Sequence, residues 1–180
     1  MLDAPAHAMI PEKLTTEEAI ALFDRLTPAA AEDMIGRWRG AAVNTAHPMD
    51  GLLEASYWYG KAFRDADDVD PLIHKAPLWG EMRLNPALLP VRLVTHLPLR
   101  DPLLSLSFPL LAPLFRTGRS RARLRVIDFR GRPHAAMLYD NKPINDVFAR
   151  LGPDEMLGWM DFKGMERPYF FRLIRETSRR

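Results

Sequence analysis

Apolar residues recur at helical spacing early in the chain and at alternate positions through most of the remainder. Ala19, Ile20, Leu22, Phe23 and Leu26 form one stripe. Thr15 and Glu18 precede it as a capping box, hydroxyl and carboxylate each taking a free N–H of the first turn, so the pattern predicts a helix to about Leu26. Thr27-Pro28 reads as a restarted helical turn with proline at its first position. In Gly36-Arg37-Trp38-Arg39-Gly40 a tryptophan between glycines alternates with two arginines, the pattern of a half-buried strand that bends sharply. Asp50 then reads as the cap of a second helix from Gly51 to about Phe63, with Leu52, Ala55, Tyr59 and Phe63 on one stripe, ended by the acidic stretch 65–71.

From there the period is two. Trp79–Leu84, Val91–Leu97, Arg121–Phe129, His134–Tyr139, Met156–Phe162 and Tyr169–Arg175 read as short strands, and Ile144–Leu151 as a helical turn. Arg130-Gly131-Arg132 and Asp140-Asn141-Lys142-Pro143 are turns. Seven or eight short meandering strands with one helical insertion favour a mainly β, α+β fold: a small antiparallel up-and-down barrel, with an N-terminal helix and a helical cap after the first strand. About eight strands leave an interior wide enough for one small ligand. The expected division is a helical lead-in over 1–33 and a single barrel domain over 34–177.

Composition narrows the function classes. Hydrophobic residues make up 47% of the chain and charged ones 27%, which is globular rather than disordered. The net charge of +2 is too balanced to imply nucleic acid. Without cysteine, disulfides, thiol catalysis and Cys-ligated metals are excluded, and a reducing compartment fits. The segment 1–11 lacks a basic stretch followed by an apolar core, and the longest apolar run, Leu103–Phe115, is short and broken by Pro109 and Pro113. A cytoplasmic protein is expected, with peripheral membrane contact open.

Beyond the first strand, Thr45, His47-Pro48, Asp50-Gly51-Leu52-Leu53-Glu54, Trp58-Tyr59-Gly60-Lys61, Asn85-Pro86, Arg121-Ala122-Arg123-Leu124, Tyr139-Asp140 and Lys163-Gly164-Met165 complete a pattern that, with Gly36 to Gly40, resembles the GXWXG-type domain family over roughly residues 34 to 175. Ala46 stands where many members carry glycine. The family has little assigned chemistry, and its Gly-X-Trp start is similar to those of lipocalins, fatty-acid-binding proteins and nitrobindins. The resemblance implies a lipocalin-like ligand-holding barrel with a helical portal, an analogy of fold and not of function.

Four constellations carry candidate chemistry. Trp38, Tyr57, Trp58, Phe63, Tyr139 and Trp159 offer an apolar lining with polar tips, against the alternative that they simply fill the core. On this reading Trp38 closes one end, Tyr57 and Lys61 stand at the portal, and Tyr139, Trp159 and Lys163 contact the ligand, a lipid, fatty acid or phospholipid. Arg121, Arg123 and Arg125 share one strand face at roughly 7 Å intervals, beside the apolar run, as an anionic membrane or head group would require; the alternatives are a solvated strand face and a partner-binding surface. Aromatics do not interleave with these arginines, against nucleic acid. His47, His74, His96 and His134 show no metal-ligand spacing, and the last strands carry no histidine for haem, so no cofactor is expected. Asp161 and Lys163, two apart beside Trp159, would form an acid–base pair in the cavity if they point inward, and ordinary surface if Met160 and Phe162 do.

Overall fold

The computed structural model describes residues 10–11, 13–89 and 102–177, with side chains omitted for 102–106. The chain order is α1 (Thr16–Arg25), β1 (Thr27–Pro28), α2 (Ala31–Met34), β2 (Gly36–Ala42), α3 (Leu52–Ala55), β3 (Trp58–Phe63), β4 (Val69–Ala76), β5 (Gly80–Arg83), α4 (Pro102–Leu111), β6 (Ala122–Phe129), β7 (Arg132–Tyr139), β8 (Ile144–Gly152), β9 (Glu155–Phe162) and β10 (Tyr169–Arg175). Two 3-10 turns, Pro86–Leu88 and Ala112–Phe115, flank α4 on either side. The strands β2-β3-β4-β6-β7-β8-β9-β10 pair antiparallel in that order and β10 returns to β2, closing an eight-stranded barrel. Closure removes the exposed edges that an open sheet would present.

Two layers of core hold it. Inside, Trp38, Phe63, Leu124, Met137, Phe148, Met156 and Leu173 pack together. Outside, α1 lays Ala19 and Phe23 onto Val147, Leu157, Trp159 and Phe170. Phe23 meets Trp159 edge-on at 5.2 Å and stacks on His134 at 5.3 Å, geometry that aromatic quadrupoles favour. The capping box at Thr15 and Glu18 is present as its spacing requires.

Several expected elements differ. Thr27-Pro28 is not a helical turn but a strand fragment on Ala149 and Arg150. The expected helix 51–63 is one turn, α3, followed by strand β3. A bulge explains the error. The stripe of Leu52, Ala55, Tyr59 and Phe63 runs across α3 into β3, and Gly60, at φ +154°, shifts the register with β4 so that β3 lacks a clean period of two. A Cβ on Gly60 would lie 1.9 Å from the Trp38 carbonyl oxygen, so that backbone approach needs glycine. Residues 144–151 form strand β8, not a helical turn. Phe148 is covered by the interior and Val147 by α1, and burial on both faces erases the alternation that would have marked a strand. The acidic stretch hides the start of β4, where Asp70 is buried against Arg64 at 2.8 Å and Arg83 at 3.3 Å. The strand expected over 91–97 lies outside the described residues.

Candidate functional site

The barrel wall splits between β4 and β6. These strands pair only at Val69 and Ala122, supported by Arg121 N–H to Val69 O and Leu124 N–H to Ala66 O. The outer half of β4 then leaves to pair with β5. Into the opening come the turn at Pro86, α4, which packs on α3, and the turn over 112–115. Between these and the barrel end lies a cavity of about 290 Å³, at the low end of the usual range for small-ligand sites. Its lining is mostly apolar: Leu52, Leu53, Leu72, Phe108, Met160 and Phe171. The tight loop before α3 holds that wall in place. Asp50 accepts the N–H groups of Thr45 and His47, and His47 Nδ1 accepts the Met49 N–H, which leaves Nε2–H facing the Arg167 carbonyl at 3.3 Å.

A charged cluster stands against this apolar lining. Lys61 Nζ lies 2.7 Å from Asp146 Oδ2, both side chains 2% exposed. Lys61 also donates to the Pro71 carbonyl at 3.1 Å and toward the Tyr139 hydroxyl at 3.5 Å, and it sits over the Phe171 ring at 5.1 Å. Burial pushes Lys61 down and Asp146 up; the opposite charge pulls each back, and the Tyr139 hydroxyl also pulls Asp146 down. Burial likewise raises the Tyr139 hydroxyl well above its usual range. On neighbouring β4, His74 pairs across the ladder with Trp58. Its Nδ1 donates to the Ser56 carbonyl at 2.7 Å, which fixes the tautomer and leaves Nε2 as a bare acceptor. Burial lowers His74 to about 4, so the ring is neutral.

Of the residues expected to contact a ligand, Trp58, Lys61 and Tyr139 line the cavity. Trp38, Tyr57, Trp159 and Lys163 do not. Trp38 is fully buried, its indole N–H donating to the Met34 carbonyl at 2.8 Å and its ring covered by Arg175. Tyr57 is a left-handed turn residue, φ 57°, at the entry to β3. Trp159 points outward into the α1 cluster, because even and odd positions of β9 face opposite sides. By the same alternation Met160 and Phe162 are inside, and Asp161 and Lys163 are exposed. The inward-facing acid–base pair is therefore corrected to surface. Arg123 and Arg125 point outward and pair with Asp140 at 3.1 Å and Asp67 at 2.5 Å, while Arg121 bonds Thr117. His134 sits under α1, and His96 is outside the described residues. Among the described residues no three His, Asp or Glu side chains gather as metal ligands, and no helix is long and apolar enough to cross a membrane. Sequence reasoning gave no site role to Asp146 or His74, isolated residues whose partners arrive only through the pairing of the strands.

Comparison with known proteins gives three results. The family described as GXWXG protein matches residues 21–77, and a domain of unknown function (DUF4334) matches residues 120–175. No curated protein matches the chain. A crystal structure of a protein from Thermomonospora curvata is 32% identical over 88% of this chain and 85% of that one, with a TM-score of 0.65. The first match runs from within α1 through β2 to the loop and strands that build the cavity wall, and the second spans the strands that close the barrel. The chain belongs to the GXWXG-type family of barrel proteins.

Proposed function

We propose that the chain is a non-catalytic carrier that holds one apolar or amphipathic small molecule, lipid-like in character, in the barrel cavity. The observation that carries this is the cavity itself: about 290 Å³ bounded mainly by leucine, methionine and phenylalanine, with a few polar groups at one side. Apolar burial supplies affinity in such a site, and the polar groups set orientation. Leu110 and Leu114 on the covering segment are about 70% exposed, an apolar approach for a poorly soluble ligand. The exposure of Asp161 and Lys163 leaves the enzyme alternative without its residues, and the carboxylate partners of Arg123 and Arg125 weaken the case for a head-group-binding face.

The test is saturable binding of an apolar fluorophore to the full chain, with native mass spectrometry of protein purified from cells. One ligand per chain is expected, with binding lost in Leu53→Trp, which fills the cavity from α3. A chain that takes up no apolar probe, or takes it up equally well with the cavity filled, overturns the proposal.

A further inference from the structure

Resting on that binding reading, we propose that the polar side of the cavity selects a neutral head group that donates a hydrogen bond, a hydroxyl above all, and rejects a carboxylate. Four lining side chains present buried polar atoms without a partner among the described residues: Tyr169 OH, which Glu54 and Asp50 approach, and a set of three, Asp146 Oδ1, His74 Nε2 and Trp58 Nε1. The three belong to one neighbourhood. Trp58 faces His74 across the β3–β4 ladder, and Lys61, bonded to Asp146, lies 5.5 Å from the Trp58 ring. Two are acceptors. Asp146 Oδ1 is the oxygen that Lys61 leaves free, and His74 Nε2 carries no proton because Nδ1–H is committed to Ser56. The third, the indole N–H, is a donor. A hydroxyl is both donor and acceptor, so it matches this set: its proton goes to Asp146 or His74, and its oxygen accepts from Trp58.

A carboxylate fails on two counts. The charge of Lys61 is already balanced by Asp146, and its donors are directed at Asp146, Pro71 and Tyr139. An incoming anion would then find a single donor in this cluster, the Trp58 N–H, against two bare acceptors and a net-neutral pair in an apolar enclosure, where unpaired charge is costly. An alkylammonium could donate, but it would lie beside the Lys61 ammonium. Lys142 is partly exposed and donates to the Leu89 carbonyl at 2.9 Å. Burial, and after it the Glu54 and Asp50 carboxylates, raise the Tyr169 hydroxyl above its usual range.

The experiment is displacement of the bound fluorophore at neutral pH by decanol, decyl methyl ether, decanoate and decylamine, on the native chain and on Lys142→Gln. The ether accepts but cannot donate. Decanol is expected to bind about tenfold more tightly than each of the others, one hydrogen bond's worth. His74→Phe should narrow the gap between decanol and its ether. So should the double variant Lys61→Met with Asp146→Leu, which removes Asp146 without leaving Lys61 buried and unpaired. Decanoate binding as tightly as decanol to Lys142→Gln, or equal affinities for decanol and ether on the native chain, overturns the head-group assignment while cavity binding stands. Failure of all four to displace the fluorophore overturns the binding reading, and this inference with it.

Discussion

Gly40 shows how a single residue shapes the site. A Cβ added there would sit 2.0 Å from the Trp58 ring, so the second glycine of the motif is the space in which that tryptophan rests. Gly40→Ala must push the indole off β2, out of its edge-on contact with Phe171 at 5.7 Å. Overpacking of this kind costs about 1–3 kcal/mol. The expected result is a lower urea midpoint together with weaker fluorophore binding; an unchanged midpoint with unchanged binding would remove Gly40 from this role. The motif was legible because glycine and tryptophan are rare enough for their spacing to carry meaning. Trp58 and Tyr139 were legible as polar-tipped lining residues, whereas Lys61, expected at the portal, is buried against Asp146. Asp146 and His74 were not legible: a lone aspartate or histidine carries no spacing, and Lys61 and Asp146 meet only through the register of strands far apart in sequence.

Among the elements, the seam between β4 and β6 is the weakest joint of the closed wall, with one ladder pair and two flanking hydrogen bonds. The joint between β8 and β9, by contrast, runs from Ile144–Phe162 to Gly152–Glu155. Local opening follows the least-bonded contact. By hydrogen exchange, the amides of Arg121 and Leu124 should exchange well before those of Val147 and Ala149 in β8; equal protection would mean that the wall opens only as a whole. Placing the cavity covering at this seam would give the proposed ligand a route in that leaves the barrel intact. Element boundaries could be read from sequence where one face was wet, as in β6, whose arginines alternate with Ala122 and Leu124. They failed at β3, where the Gly60 bulge shifts the alternation, and at β8, which is buried on both faces. In each case tertiary packing replaced the local period on which the reading depended.

For the whole molecule, the buried histidine ties stability to pH. His74 is held at about 4, first by burial and further by the nearby Lys61 charge, with the Ser56 hydrogen bond opposing. In the unfolded chain it returns to its ordinary value near 6.5. Between these values the unfolded state takes up a proton that the native state refuses, so stability falls as pH drops from about 6.5 to about 4 and levels off below. The interval corresponds to at most about 3 kcal/mol from this side chain. His47 and His134 are also lowered by burial and act in the same direction. Asp24 and Asp68, held low chiefly by their hydrogen bonds to Arg130 and Arg64, add their losses only as pH falls further, through their depressed values. Urea unfolding from neutral pH down to about 4 should therefore show a midpoint that falls, less the opposing gain at Asp146, whose value burial raises. In His74→Phe the midpoint should fall less over the same interval, whatever the variant's stability at neutral pH. An equal slope in both proteins would mean that His74 takes up its proton in the folded state. Its Nε2 would then turn from acceptor to donor as pH falls through about 6.5, and the proposed preference for decanol over its ether would weaken below that pH.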